Sequence, residues 1–194
     1  MWNIVKQIAR TGIRTEMTPD CNDALRVETE RIQREVLEIL GHALAIRQVD
    51  AGSCNGCELE IHALNNPYYN IEGLGIKFVA SPRHADMLLV TGPVSRNMEM
   101  ALRRTYDATP DPKLVVAVGD CGGNGGIFGE SYASCGRVSN VIPVDLVVPG
   151  CPPAPVEILR GILTAVRRCR PAPGETRAAE KQHLVSAEND SFRK

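Results

Sequence analysis

The sequence predicts an α/β protein built on a doubly wound parallel sheet with helices on both faces, and three observations point there. From Leu44 onward, short runs of Val, Ile, Leu and Ala are separated by Gly, Pro, Asn and Asp, the texture of strands buried between helices. Aromatic residues make up only 4% of the chain, so the core must be assembled mainly from aliphatic side chains. Segments with helical spacing alternate with these runs, and strands alternating with helices imply a parallel sheet with right-handed crossovers.

The elements follow in order. Residues 2–13 set Trp2, Val5, Ile8, Ala9 and Ile13 along one helical face, with Lys6, Arg10 and Arg14 elsewhere on the wheel. This is a short amphipathic arm, suited to pack on the body of the protein or a partner subunit, or to rest on a membrane surface. After a turn at Thr18-Pro19-Asp20, residues 23–41 carry Leu25, Ile32, Val36, Ile39 and Leu40 among alternating charges, again with helical spacing, and Gly41 supplies a stop. Strands are predicted near 44–49, 75–80, 86–91, 113–119 and 143–148, and helices near 57–65, 95–107 and 154–169. Beyond Arg170 the chain has too few apolar residues to pack. The predicted division is an arm and helix over 1–41, a cofactor-binding α/β domain over 42–170, and a flexible tail over 171–194 that could also strap onto a partner.

Composition excludes several classes of function. A net charge of -1 with interspersed signs offers no basic stripe for a phosphate backbone, so no nucleic-acid partner is expected. No apolar run approaches the roughly 20 residues of a membrane span, and residues 1–10 lack the apolar centre and cleavage site of an export signal. A soluble, cytoplasmic chain is expected. In that compartment thiols stay reduced, so the seven cysteines point to metal or redox chemistry before disulfides.

Four of those cysteines follow predicted strands. Cys54 and Cys57 lie in Ser53-Cys54-Asn55-Gly56-Cys57 after the first, Cys121 follows the 113–119 strand, and Cys151 follows the 143–148 strand. In an open parallel sheet the carboxyl ends of the strands share one edge where ligands gather. The fold would therefore bring the four together. A lone C-x-x-C could equally be a redox pair or half of a zinc site, and four thiolates suit either zinc or an iron–sulfur cluster. The Gly- and Pro-rich surroundings favour iron and sulfur, because they let backbone N–H groups approach an anionic cluster. Of the remaining cysteines, Cys21 and Cys169 are expected to be indifferent or simply buried, while Cys135 stands as the substitute ligand.

These loops resemble the small subunit of membrane-bound, energy-converting [NiFe] hydrogenases of the formate hydrogenlyase type, and its relative, the 20 kDa cluster subunit of respiratory complex I. The likeness runs from about Ala45 to Val166. It rests on VDAGSCNGCELEI, GIKFVASPRHADMLLVTGPVSRNM, PDPKLVVAVGDCGGNGGIF and NVIPVDLVVPGCPPAPVEIL, matched in that order. The resemblance implies a flavodoxin-like fold and one proximal [4Fe–4S] cluster held by Cys54, Cys57, Cys121 and Cys151. Complex I subunits typically open this site with adjacent cysteines, whereas Asn55 and Gly56 separate Cys54 from Cys57, as in the hydrogenase branch. Ordinary uptake hydrogenase small subunits carry ligands for two further clusters, which this sequence lacks.

The implied role is a non-catalytic electron relay. It would sit beside the nickel–iron site of a separate large subunit and exchange electrons with a ferredoxin-like, two-cluster subunit. The assembly would be held peripherally on the inner face of the cell membrane through membrane subunits. Two other readings stay open: a complex I-like oxidoreductase whose large subunit lacks nickel, and a structural Cys₄ zinc scaffold. An FMN protein would need a Ser/Thr-rich phosphate loop where the C-x-x-C stands. Glu60, which the resemblance matches to a carboxylate of the complex I relatives, is a candidate proton route. Glu58 fits an acid at a helix N-terminus. Arg83 is a candidate for tuning the cluster or binding the large subunit, with His84 and Asp86 expected as loop and capping residues.

Overall fold

In a computed structural model, which describes residues 2–11, 34 and 42–168, five strands form one all-parallel sheet in the order β2-β1-β3-β4-β5. They are β1 (Leu44–Asp50), β2 (Ile76–Phe78), β3 (Met87–Thr91), β4 (Leu114–Val118) and β5 (Leu146–Val148). The helices are α1 (Trp2–Thr11), α2 (Gly56–Ala63), α3 (Arg96–Ala108), α4 (Gly119–Asn124) and α5 (Pro155–Arg168). The strand order is that of flavodoxin-like doubly wound sheets, with the chain reversing its direction of travel between β1 and β3.

Alternation of side chains along each strand explains why the central runs are largely apolar. Leu44 and Ile46 of β1, Met87 and Leu89 of β3, and Leu114, Val116 and Val118 of β4 pack on one face with Ile61 and Leu64 and with Ile158, Ile162 and Val166 of α5. Val49, Leu88, Val90, Val115 and Ala117 pack on the other face with Leu102 of α3 and with Val138 and Ile142. Both faces are covered, so β3 and β4 are apolar apart from Thr91, whereas β1 keeps Arg47 and Gln48 at half-buried positions.

Register is fixed where side chains clip strand to strand. An Asp86 carboxylate oxygen accepts the Ala45 N–H at 2.9 Å, and an Asp145 oxygen accepts the Val115 N–H at 2.8 Å. Both lie at the amino ends of strands, so Asp86 ties β3 to β1 and caps no helix among the described residues. Arg83 and His84 are exposed in the turn Pro82–His84, which links β2 to β3 and packs against α3.

Two expectations need adjustment. β2 and β5 are shorter than predicted, because each is an edge strand with a neighbour on one side only. The Cys121 segment is not a loop but the short helix α4, which starts directly where β4 ends. The helix expected over 23–41 lies outside the described residues apart from Arg34, which has helical backbone, and so do Cys21, Cys169 and the predicted tail.

Candidate functional site

The turn after β1 is folded by its own side chains. An Asp50 carboxylate oxygen accepts the N–H groups of Gly52 and Ser53, both at 2.8 Å, and the Ser53 hydroxyl accepts the Asn55 N–H at 3.1 Å. Asn55 takes a left-handed conformation (φ 72°), which aims the chain into α2 at Gly56. The turn leans on the end of β3: Ala51 N–H donates to Thr91 O, and Ser95 N–H donates to Ala51 O. Gly92 passes so close that a Cβ there would lie 2.6 Å from Ser53 N. Cys54 is thereby exposed at the rim, while Cys57 is buried in the first turn of α2.

A second clip joins the segments after β4 and β5. Asp120 N–H donates to Gly150 O at 2.8 Å, and Gly150 N–H donates to an Asp120 carboxylate oxygen at 2.8 Å. This reciprocal pair holds the Cys121 and Cys151 segments side by side. Glycines then let backbone press against the thiols. A Cβ on Gly119 (φ 84°) would meet Cys57 Sγ at 2.7 Å, and one on Gly126 (φ 55°) would meet Cys121 Sγ at 2.7 Å. A Cβ on Gly56 would lie 3.5 Å from Cys54 Sγ and 3.9 Å from the Pro152 ring, which brings the Cys151 segment beside the first pair.

The four thiols feel one another. Burial pushes the Cys57 thiol up to about 12, reinforced by the negative charge of Glu58 and then of Cys54, Cys121 and Cys151. Burial likewise raises Cys121, with Cys151, Cys54 and Asp120 adding to it. Mutually repelling thiolates crowded on one rim form a donor set that a cationic metal centre would relieve. Among the described residues, no three or more His, Cys, Asp or Glu side chains are gathered tightly enough to hold a single metal ion. A cluster of several irons, with its own bulk between the thiolates, takes a more widely spaced set. The residues present fit such a group by thiol chemistry, by convergence and by glycine cradles too close for side chains.

Other candidates stand elsewhere. The Cys135 thiol is buried and donates to Glu99 Oε2 at 3.3 Å, on α3, where Glu99 also pairs with Arg96 and Arg103. Burial and the Glu99 carboxylate raise its pKa. Glu60 is half-buried on α2. Glu58 lies in the first turn of α2, as expected of an acid at a helix N-terminus, and is 5% exposed, with neither carboxylate oxygen hydrogen-bonded among the described residues. Sequence reasoning missed Asp120 as the tie between two thiol segments; the only signal was its place directly before Cys121. Exposed Ile127, Phe128 and Tyr132 flank the site on the loop that follows α4.

Comparisons with known proteins agree with this architecture. The family model described as NADH ubiquinone oxidoreductase, 20 Kd subunit, matches residues 54–165, from the first of the four thiols into α5. A probable membrane-bound hydrogenase subunit of Pyrococcus furiosus is 42% identical over 147 residues, which are 76% of this chain and 88% of that protein. Formate hydrogenlyase subunit 7 of Escherichia coli is 39% identical over 166 residues, 86% of this chain and 63% of that protein. Among solved structures, a chain of the membrane-bound sulfane sulfur reductase, an archaeal respiratory membrane complex, superposes with a TM-score of 0.60 at 33% identity, over 73% of this chain and 78% of that one. The protein therefore belongs to the family of the 20 Kd subunit of NADH ubiquinone oxidoreductase, in company with subunits of membrane-bound hydrogenases.

Proposed function

We propose that this chain is the electron-relay subunit of a membrane-associated [NiFe]-hydrogenase-type complex, holding one [4Fe–4S] cluster through Cys54, Cys57, Cys121 and Cys151. The observation that carries the reading is the convergence of four thiols from three strand ends on one rim, in a chain whose relatives include hydrogenase subunits. When bound, the cluster supplies one-electron transfer. The chain's own residues would do the rest. Asp50 and Asp120 would hold the ligand segments in place, and the glycines would bring backbone against sulfur, a feature that sets redox behaviour. No helix among the described residues is long and apolar enough to cross a membrane, which is consistent with attachment through partner subunits. Those partners would be a nickel–iron large subunit, a ferredoxin-like two-cluster subunit and membrane subunits of the complex.

Anaerobic purification tests the reading. A brown protein with about four irons and four sulfides per chain supports it, while a colourless protein with stoichiometric zinc replaces it with the structural Cys₄ scaffold. A second reading, an equivalent relay in an oxidoreductase without nickel, is favoured by one observation, the likeness to the sulfane sulfur reductase complex. Nickel analysis of the co-purifying large subunit separates the two.

Two variants probe the surroundings. Phe128 and Ile127 are 55% and 95% exposed beside the Cys121 segment, an apolar edge that suits a large subunit covering the site. Phe128→Asp is expected to weaken association with the large subunit at least about 30-fold, as loss of a buried aromatic anchor does, with iron content unchanged; pull-down and iron assay check both. Glu60 is proposed as a proton route. Glu60→Gln is expected to lower hydrogen turnover with an unaltered cluster spectrum, and unchanged turnover would remove it from that role.

A further inference from the structure

One feature of the chain takes no part in the thiol site. Helix α1 carries Trp2 at 79% and Val5 at 55% exposure, large apolar side chains left in water, with Ala9 exposed beside them. At 100° per residue these three fall within one narrow arc, and Lys6 and Arg10, also exposed, border it on the side of Trp2. Charge is just as one-sided. The first 15 residues contain Lys6, Arg10 and Arg14 and no acidic residue, in a chain whose net charge is -1.

A ten-residue helix is marginal in water and needs its apolar face covered. A face of aliphatic residues and tryptophan, bordered on one side by cations, fits a surface that is apolar below and anionic above. That is the boundary of an anionic lipid bilayer, where such a helix lies in the plane with its rings among the headgroups. A protein partner could cover the apolar arc equally well, but the absence of any acid over 15 residues favours phosphate headgroups. We propose that α1 is an in-plane contact of this chain with anionic lipid, made by its own residues in addition to any partner subunit. The proposal does not depend on what the four thiols hold.

Trp2 is the sole tryptophan of the chain, so its fluorescence reports the contact directly. With the full chain, vesicles of phosphatidylcholine and phosphatidylglycerol are expected to shift its emission to shorter wavelength and to carry protein into the lipid pellet. Pure phosphatidylcholine vesicles should do so weakly. Lys6→Gln and Arg10→Gln are each expected to lower the partition coefficient about fivefold, and Val5→Asp to abolish partitioning; circular dichroism and metal content should match wild type, since these positions are exposed. Trp2 emission that ignores anionic vesicles overturns the proposal. So does a photo-crosslinker at position 5 that, in the assembled complex, labels a protein subunit and no lipid.

Discussion

Cys57→Ala protein, purified without oxygen, is expected to lose nearly all of its iron and sulfide while keeping the far-ultraviolet circular dichroism of the wild type. Cys57 is the most enclosed of the four thiols, in the first turn of α2, with Gly119 backbone against its sulfur. Removing it would leave a cluster with an open coordination position and no replacement thiol among the described residues, since Cys135 is engaged with Glu99. The sheet should survive, because each face is held by many aliphatic contacts and the substitution removes one small buried group. Retention of full cluster absorbance would contradict the ligand assignment.

Gly119→Ala is expected to be nearly as damaging by a different route. Its φ of 84° is a region that L side chains adopt only under strain, costing of order 1–3 kcal/mol, and the added methyl would stand 2.7 Å from Cys57 Sγ. The variant should show a lowered urea midpoint and loss of most bound iron together. Gly129→Ala is the control: its φ of 53° carries similar backbone strain, but nothing lies within 4 Å of the added carbon. That variant should lose some stability and keep its iron. Equal iron content in the two would mean that close approach to the thiol is unimportant.

Much of this molecule was legible before any coordinates. Strands β3 and β4 announced themselves because burial on both faces leaves little room for polar residues, so Met87–Thr91, polar only at its last residue, and Leu114–Val118 read as nearly continuous apolar runs. The gathering of Cys54, Cys57, Cys121 and Cys151 followed from one rule of parallel sheets, that loops after strands share an edge. What escaped notice depends on pairs distant in sequence. α4 is rich in glycine, with low helical propensity, and is held by packing on β4 and β5. The Asp120–Gly150 exchange spans 30 residues, and no local pattern reveals it. The burial of Glu58 was not legible, because its neighbours in sequence say nothing about what packs over it. The engagement of the Cys135 thiol with Glu99, 36 residues earlier, and the pairing of its segment with Val94 and Ser95 have no local signature either.

The two clips differ in reach, and that difference orders the assembly of the chain. Asp50 grips amides two and three residues ahead, a contact that a nascent chain can make as soon as those residues emerge. Asp120 must wait for a segment 30 residues downstream, and so for β4 and β5 to find one another, since loop closure over such a span carries more entropy. The turn before the first two thiols can therefore close early in synthesis, while the tie between the other two forms only after β5 has been made.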